Sequence, residues 1–97
     1  MTIYLVATIH CIDEHGLAGT RTVGYFETLA DAKKAIEKNS CDLSEEGYYK
    51  YAVIEDVLPG IYMSILSNPI FYEWDGEKYV KIDRPKNAEY FAGFTIG

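Results

Sequence analysis

The sequence predicts an α+β domain: a single antiparallel sheet of five to six strands, with one main α-helix at about residues 28–39 packed on one face. Three observations predict it. Short β-branched and aromatic runs recur along the chain, separated by Gly, Pro, Asn and Asp. One stretch, 28–39, carries apolar residues at helical spacing. The connection between the first two apolar runs suits a hairpin and is too short for a parallel crossover. The 97 residues form one domain, 1–97. A chain of that length buries roughly two-thirds of its unfolded surface, so it needs no disulfide or metal to fold.

Residues 2–12, "TIYLVATIHCI", read as a central strand. Ile3, Leu5, Ala7, Ile9 and Cys11 share one face, and Tyr4, Val6, Thr8, His10 and Ile12 the other. "DEHGLAGT" (13–20) reads as a polar loop and "RTVGYF" (21–26) as the antiparallel partner strand. Thr28 is an N-cap, with Asp31 three residues on. Leu29, Ala32 and Ile36, with Ala35 beside them, make the apolar stripe of the helix, and Asn39 is its stop. After a turn-rich connector at 40–47, "YYKYAVIEDVL" (48–58) is the third strand, ended by Pro59-Gly60. Within it the small Ala52 and Ile54 suit contact with the helix, and Ile54 and Val57 are the expected core residues. "IYMSIL" (61–66) continues as a bent edge segment. "PIFYEWDGEKYVKI" (69–82) is a hairpin turning at Asp75-Gly76. "FAGFTIG" is a short final strand.

The formal net charge of -6 argues against direct duplex DNA binding, which needs a basic footprint. It suits solubility or a basic protein partner. No apolar run approaches the ~20 residues of a membrane helix, and "MTIYLVATIH" has neither a basic leader nor a small-residue cleavage site. A cytoplasmic protein with reduced Cys11 and Cys41 is therefore expected.

Catalytic and metal chemistry find little support. His10 and Cys11 point to opposite faces of a strand and cannot share a metal without a bulge; Cys11 and His15 could share one, but no Cys-x-x-Cys occurs, and a buried Cys11 and a surface His15 are expected. Cys41 near Asp42, and the run Asp13-Glu14-His15, lack any recognised catalytic spacing. No enzyme activity, metal or cofactor is expected. "GLAGTRT" (16–22) lacks the Lys-Ser/Thr ending of a phosphate loop and leads into a strand. It does place Arg21 between Thr20 and Thr22 as a candidate anion contact.

The aromatic content points to binding. One helix cannot cover both faces of a sheet this rich in Tyr, Trp and Phe. A surplus aromatic face, carrying Tyr49 and Tyr51, is expected to serve as an interface, most simply in a homo-oligomer.

The strings "RTVGYF", "EEGYYKYAVIE", "FYEWDGEKY" and the terminal "FTIG" together resemble a group of small proteins encoded by phages, prophages and the bacteria that carry them. The resemblance covers most of the chain from Arg21 onward and is most specific from Gly47 to Glu55. It brings no catalytic residue with it. It implies a short accessory protein of a mobile element, and such proteins often counter host defence in the host cytosol. Two expectations follow. In the first, an acidic surface docks as an inhibitor on a basic host defence protein; its candidate residues are Asp13, Glu14, Asp42, Glu45, Glu46, Glu55 and Asp56. In the second, a pocket at an oligomer interface sequesters a small nucleotide messenger. Tyr48, Tyr49, Tyr51 or Trp74 would stack on the base, and Arg21, Lys50 or Arg84, with Thr20, would hold phosphate.

Overall fold

The computed structural model describes residues 2–13, 16–57 and 69–85. Five strands and one helix account for most of them. They are β1 (Ile3–Asp13), β2 (Gly16–Phe26), α1 (Leu29–Glu37), β3 (Tyr51–Val57), β4 (Ile70–Trp74) and β5 (Tyr79–Ile82), with a short 3₁₀ turn at Ser40–Asp42. The strands form one sheet in the order β2-β1-β3-β4-β5. Every neighbouring pair is antiparallel. The predicted class, α+β with a single helix on one antiparallel sheet, is the fold observed.

The helix starts where its cap lies. The Thr28 hydroxyl accepts from the Asp31 backbone N–H at 3.2 Å, and Asp31 sits in the first turn, where a negative charge suits the dipole. It stops where Asn39 turns left-handed, with φ of 48°. Ala32 and Ile36 are its buried residues. They pack on Val6, Ala52, Ile54, Tyr72 and Tyr79. Burying an isoleucine stabilises by about 1.5–3 kcal/mol, so Ile36 is the main anchor of the helix. The expected core residues Ile54 and Val57 are both buried.

Two boundaries differ from the sequence reading. The 13–20 segment is mostly strand: Cys11 pairs with Ala18, Ile12 with Leu17 and Asp13 with Gly16. A continuous ladder to a central strand outweighs the poor β-propensity of Gly and Ala there. At the other end of β2, Val6 pairs with Gly24 and Ala7 with Thr22, so Val23 is the extra residue of a bulge. The third strand is shorter than expected. Tyr48 and Tyr49 belong to the preceding turn, and pairing begins at Tyr51.

The expected open aromatic face is also corrected. Opposite the helix, Ala7, Ile9, Val53 and Phe71 form a second buried cluster, with Tyr51 and Ile82 half-buried against it. Tyr72 and Trp74 lie on the helix side. Glu55, a candidate for the acidic surface, is fully buried and cannot belong to one. The expected edge segment at 61–66 and the expected final strand "FAGFTIG" fall outside the described residues.

Candidate functional site

The residues joining α1 to β3 form a loop that crosses the helix side of the sheet. Its backbone is unusual. Asn39, Cys41, Asp42, Glu45 and Glu46 all have positive φ without being glycine, and Gly47 follows at +93°. Each such residue costs ~1–2 kcal/mol, less for Asn and Asp, which tolerate this region.

Hydrogen bonds hold the conformation. The Asp42 carboxylate accepts from Asn39 Nδ2 at 3.2 Å, from the Glu46 N–H at 3.3 Å and from the Ser44 hydroxyl at 3.5 Å. Asn39 Oδ1 accepts from the Ser44 N–H at 2.9 Å, and the buried Ser44 hydroxyl accepts from the Gly47 N–H at 3.3 Å. Backbone bonds from Glu45, Tyr48 and Tyr49 close successive turns. At about 0.5–1.5 kcal/mol each, these bonds are of the size needed to offset the strain.

The loop is clamped to both halves of the sheet. On the β1–β2 side, His10 Nδ1 donates to the Tyr48 carbonyl at 2.7 Å, and the two rings stack at 4.0 Å, only 10° from parallel. The Arg21 guanidinium lies 4.3 Å from the Tyr49 ring centroid and pairs with the Glu45 carboxylate. On the β4–β5 side, the Tyr79 hydroxyl donates to the Tyr49 carbonyl at 2.6 Å, and the Trp74 N–H donates to the Lys50 carbonyl at 2.7 Å. Burial pushes the Tyr79 phenol well above its ordinary range, and Asp42 adds to the rise while Arg21 opposes it. Trp74 meets Tyr79 edge-on, and Gly47 passes close to its indole nitrogen. Gly19 leaves the room that His10 occupies, since a Cβ there would lie 2.7 Å from His10 Cβ.

What the loop presents is acidic and aromatic. Asp42, Glu45, Glu46 and Tyr48 are exposed, and Tyr48 is 54% exposed despite its stack on His10. Arg21 is the one cation engaged with this group in the interactions above, and Glu45 already takes it.

The sequence candidates are only partly brought together. Tyr48, Tyr49, Arg21, Glu45 and Glu46 converge. Tyr51 does not join them. It pairs with Ile9 and Glu73 on the opposite face of the sheet, where burial and the Glu73 carboxylate raise its pKa. Thr20 is opposite Ile9 and Arg21 opposite Thr8, so strand alternation sends the two side chains to different faces of the sheet. Trp74 is half-buried as a clamp. Lys50 is exposed, and its charge acts on Cys11. Arg84 follows β5, at the sheet edge opposite Arg21. With strands ~4.8 Å apart, that separates the two by nearly 20 Å across the sheet. Asp13 is exposed at the end of β1. Asp56 is five residues along β3 from Tyr51, ~16 Å from the end of the strand that meets the loop. Glu14 is outside the described residues.

Sequence reasoning passed over His10 as a structural partner, and Asn39, Asp42 and Ser44 as the organisers of the loop. Their signal was present: short polar side chains at 39, 42 and 44 bond neighbouring backbone and favour turns.

Cys11 donates weakly to Asp13 Oδ2 at 3.7 Å. Burial pushes its thiol pKa up, and the Asp13 charge adds to the rise, which favours the thiol over the nucleophilic thiolate. Among the described residues, no group of three or more His, Cys, Asp or Glu side chains assembles as a metal site. None of the described helices is long and apolar enough to cross a membrane. Comparison with protein-family models, curated proteins and solved structures finds no significant match to this chain.

Proposed function

We propose that this protein is a non-enzymatic binding protein that captures a basic protein partner through the 42–49 segment. The observation that carries the reading is a strained loop held in one shape. Five non-glycine residues sit at positive φ around the Asp42 carboxylate. Backbone strain of this kind gathers at binding and catalytic sites. A loop that is already ordered loses less entropy on association. The exposed tip offers Tyr48, a residue type that often anchors interfaces, within a fringe of carboxylates that would speed encounter with a basic surface. The resemblance to phage- and prophage-associated proteins supplies the context: stoichiometric occlusion of a host defence protein in the host cytosol.

The test is co-purification from bacterial cells expressing the tagged protein. A discrete stoichiometric partner is expected, released progressively as salt rises. A partner bound equally by wild type and by Glu46→Lys would contradict the reading.

One observation favours a second reading, the nucleotide sponge. Arg21 lies over Tyr49 beside an open depression of about 450 Å³. Asp42 and Glu45 line the same depression, so a phosphate would have to displace Glu45 from Arg21 against Asp42. A nucleotide held at 100 times its Kd would stabilise the fold by about 2.7 kcal/mol. No thermal shift with cyclic dinucleotides or ADP-ribose-type nucleotides removes this reading.

A further inference from the structure

The two edges of the sheet are built differently. β5 has four residues and is followed by Arg84 and Pro85, with Lys78 just before it and Lys81 within it. Short length, lysine and proline are the usual protections of an edge strand against pairing. β2 has eleven residues, GLAGTRTVGYF, with no lysine and no proline. It is an edge strand of the sheet, and no described strand pairs with its outer side. Its largest side chain, Tyr25, is 64% exposed.

A groove runs beside this edge on the helix side, between β2 and residues 40–45. One part is the 450 Å³ depression that includes Arg21, Val23, Asp42, Leu43 and Glu45. The other, of about 180 Å³, includes Val6, Val23, Gly24, Phe26, Cys41 and Leu43. They share Val23, Cys41 and Leu43, so the two depressions lie side by side along β2. One end is acidic and the other apolar. Alternate side chains of an extended strand fall on the same side, ~7 Å apart.

We propose that the outer edge of β2 binds an extended segment of the partner protein as a sixth strand, with a Lys or Arg side chain at the acidic end of the groove and an apolar side chain, two residues away, at the apolar end. Main-chain bonds to the outer edge of β2, which none of the described strands takes, supply affinity, and the two depressions supply selectivity, the logic of peptide binding by strand addition. The proposal rests on the capture reading and names its mode. The groove adjoins the strained loop through Asp42 and Glu45, so one partner can engage both.

The test selects seven-residue peptides from a random displayed library on the immobilised protein. The expected winners carry Lys or Arg two positions from Leu, Ile, Val or Phe, and they shift the amide signals of Thr20 to Phe26. Gly24→Val should weaken them at least tenfold. This variant should fold, because a Cβ at Gly24 meets nothing within 4 Å and the backbone is not left-handed; an unchanged circular dichroism spectrum checks it. Its side chain fills the apolar end. N-methylation of alternate peptide amides should also abolish binding, and Glu45→Gln should relax the preference for the basic residue. No enrichment over the naive library, or equal binding by Gly24→Val, overturns the proposal. So does a dimer in light scattering that Gly24→Val dissociates, which would assign the edge to a second copy. If peptides fail while capture of the whole partner still depends on Tyr48, only the strand-addition mode falls and the loop reading stands.

Discussion

Replacing Gly47 with alanine tests the loop at the point where its two supports meet. Gly47 has φ of +93°, and a Cβ there would lie 3.2 Å from Trp74 Nε1 and 3.4 Å from Cδ1. An L-residue at such a φ costs ~1–2 kcal/mol. The Trp74 ring cannot retreat freely, because Tyr79 packs edge-on against it. Crowding of that size adds about 1 kcal/mol. Together the two effects come to about 2–3 kcal/mol, which lowers Tm by roughly 10–20 °C in a domain of this length. Gly76→Ala is the control. Gly76 has φ of +106° with nothing within 4 Å of a Cβ, so it carries the backbone cost without the crowding. Thermal denaturation followed by circular dichroism should place Gly76→Ala between wild type and Gly47→Ala. Equal Tm values for the two variants would refute the Trp74 contact. A Gly47→Ala protein with wild-type Tm would refute the left-handed geometry of the loop.

Asp42→Ala removes the acceptor for Asn39, Ser44 and Glu46, and should cost about 2 kcal/mol and speed proteolysis within 42–47; an unchanged cleavage rate would contradict the role of Asp42. Thr8→Val should stabilise by ~1 kcal/mol in urea denaturation, because the buried Thr8 hydroxyl has no hydrogen-bond partner among the described residues; a loss of stability would mean that the hydroxyl is satisfied. Alkaline pH should weaken the fold. Burial, with Glu37 nearby, pushes the Tyr72 phenol up to about 12, whereas an unfolded tyrosine titrates near 10. The neutral phenol is thus favoured in the folded state. Its contribution is complete below pH 10 and is lost as pH rises from about 10 to 12, roughly 2–3 kcal/mol in all. Tyr72→Phe should flatten that limb of the urea-stability profile, and an unaltered limb would contradict the assignment.

The helix and its sheet face were legible from local rules. Thr28, the 29/32/36 stripe and Asn39 fix α1 without tertiary help, and the alternation of Ala52 and Ile54 identifies the face it covers. What local rules missed depended on partners far away in sequence. Ala18 and Gly19 are strand residues because β1 offers a ladder, which no propensity records. Tyr48 and Tyr49 look like strand by composition, yet the left-handed run ending at Gly47 turns them onto His10 and Arg21. The candidate site divided for the same reason. Period-2 alternation groups Tyr49 with Tyr51, but the strand begins only at Tyr51, and the two tyrosines lie on opposite sides of the sheet. Arg84 and Arg21 could be told apart only once the strand order placed them at opposite edges.

Amide hydrogen exchange on the purified complex, compared with the free protein, tests the central claim most directly. Partner capture through the strained acidic loop predicts that new protection concentrates at Glu45 to Tyr49 and at Arg21, and that Tyr48→Ser abolishes the complex while the variant still folds, its Tm lowered by no more than about 10 °C for loss of the His10 stack. Protection confined to the far end of β3 and the start of α1, with the loop exchanging as in the free protein, would contradict it.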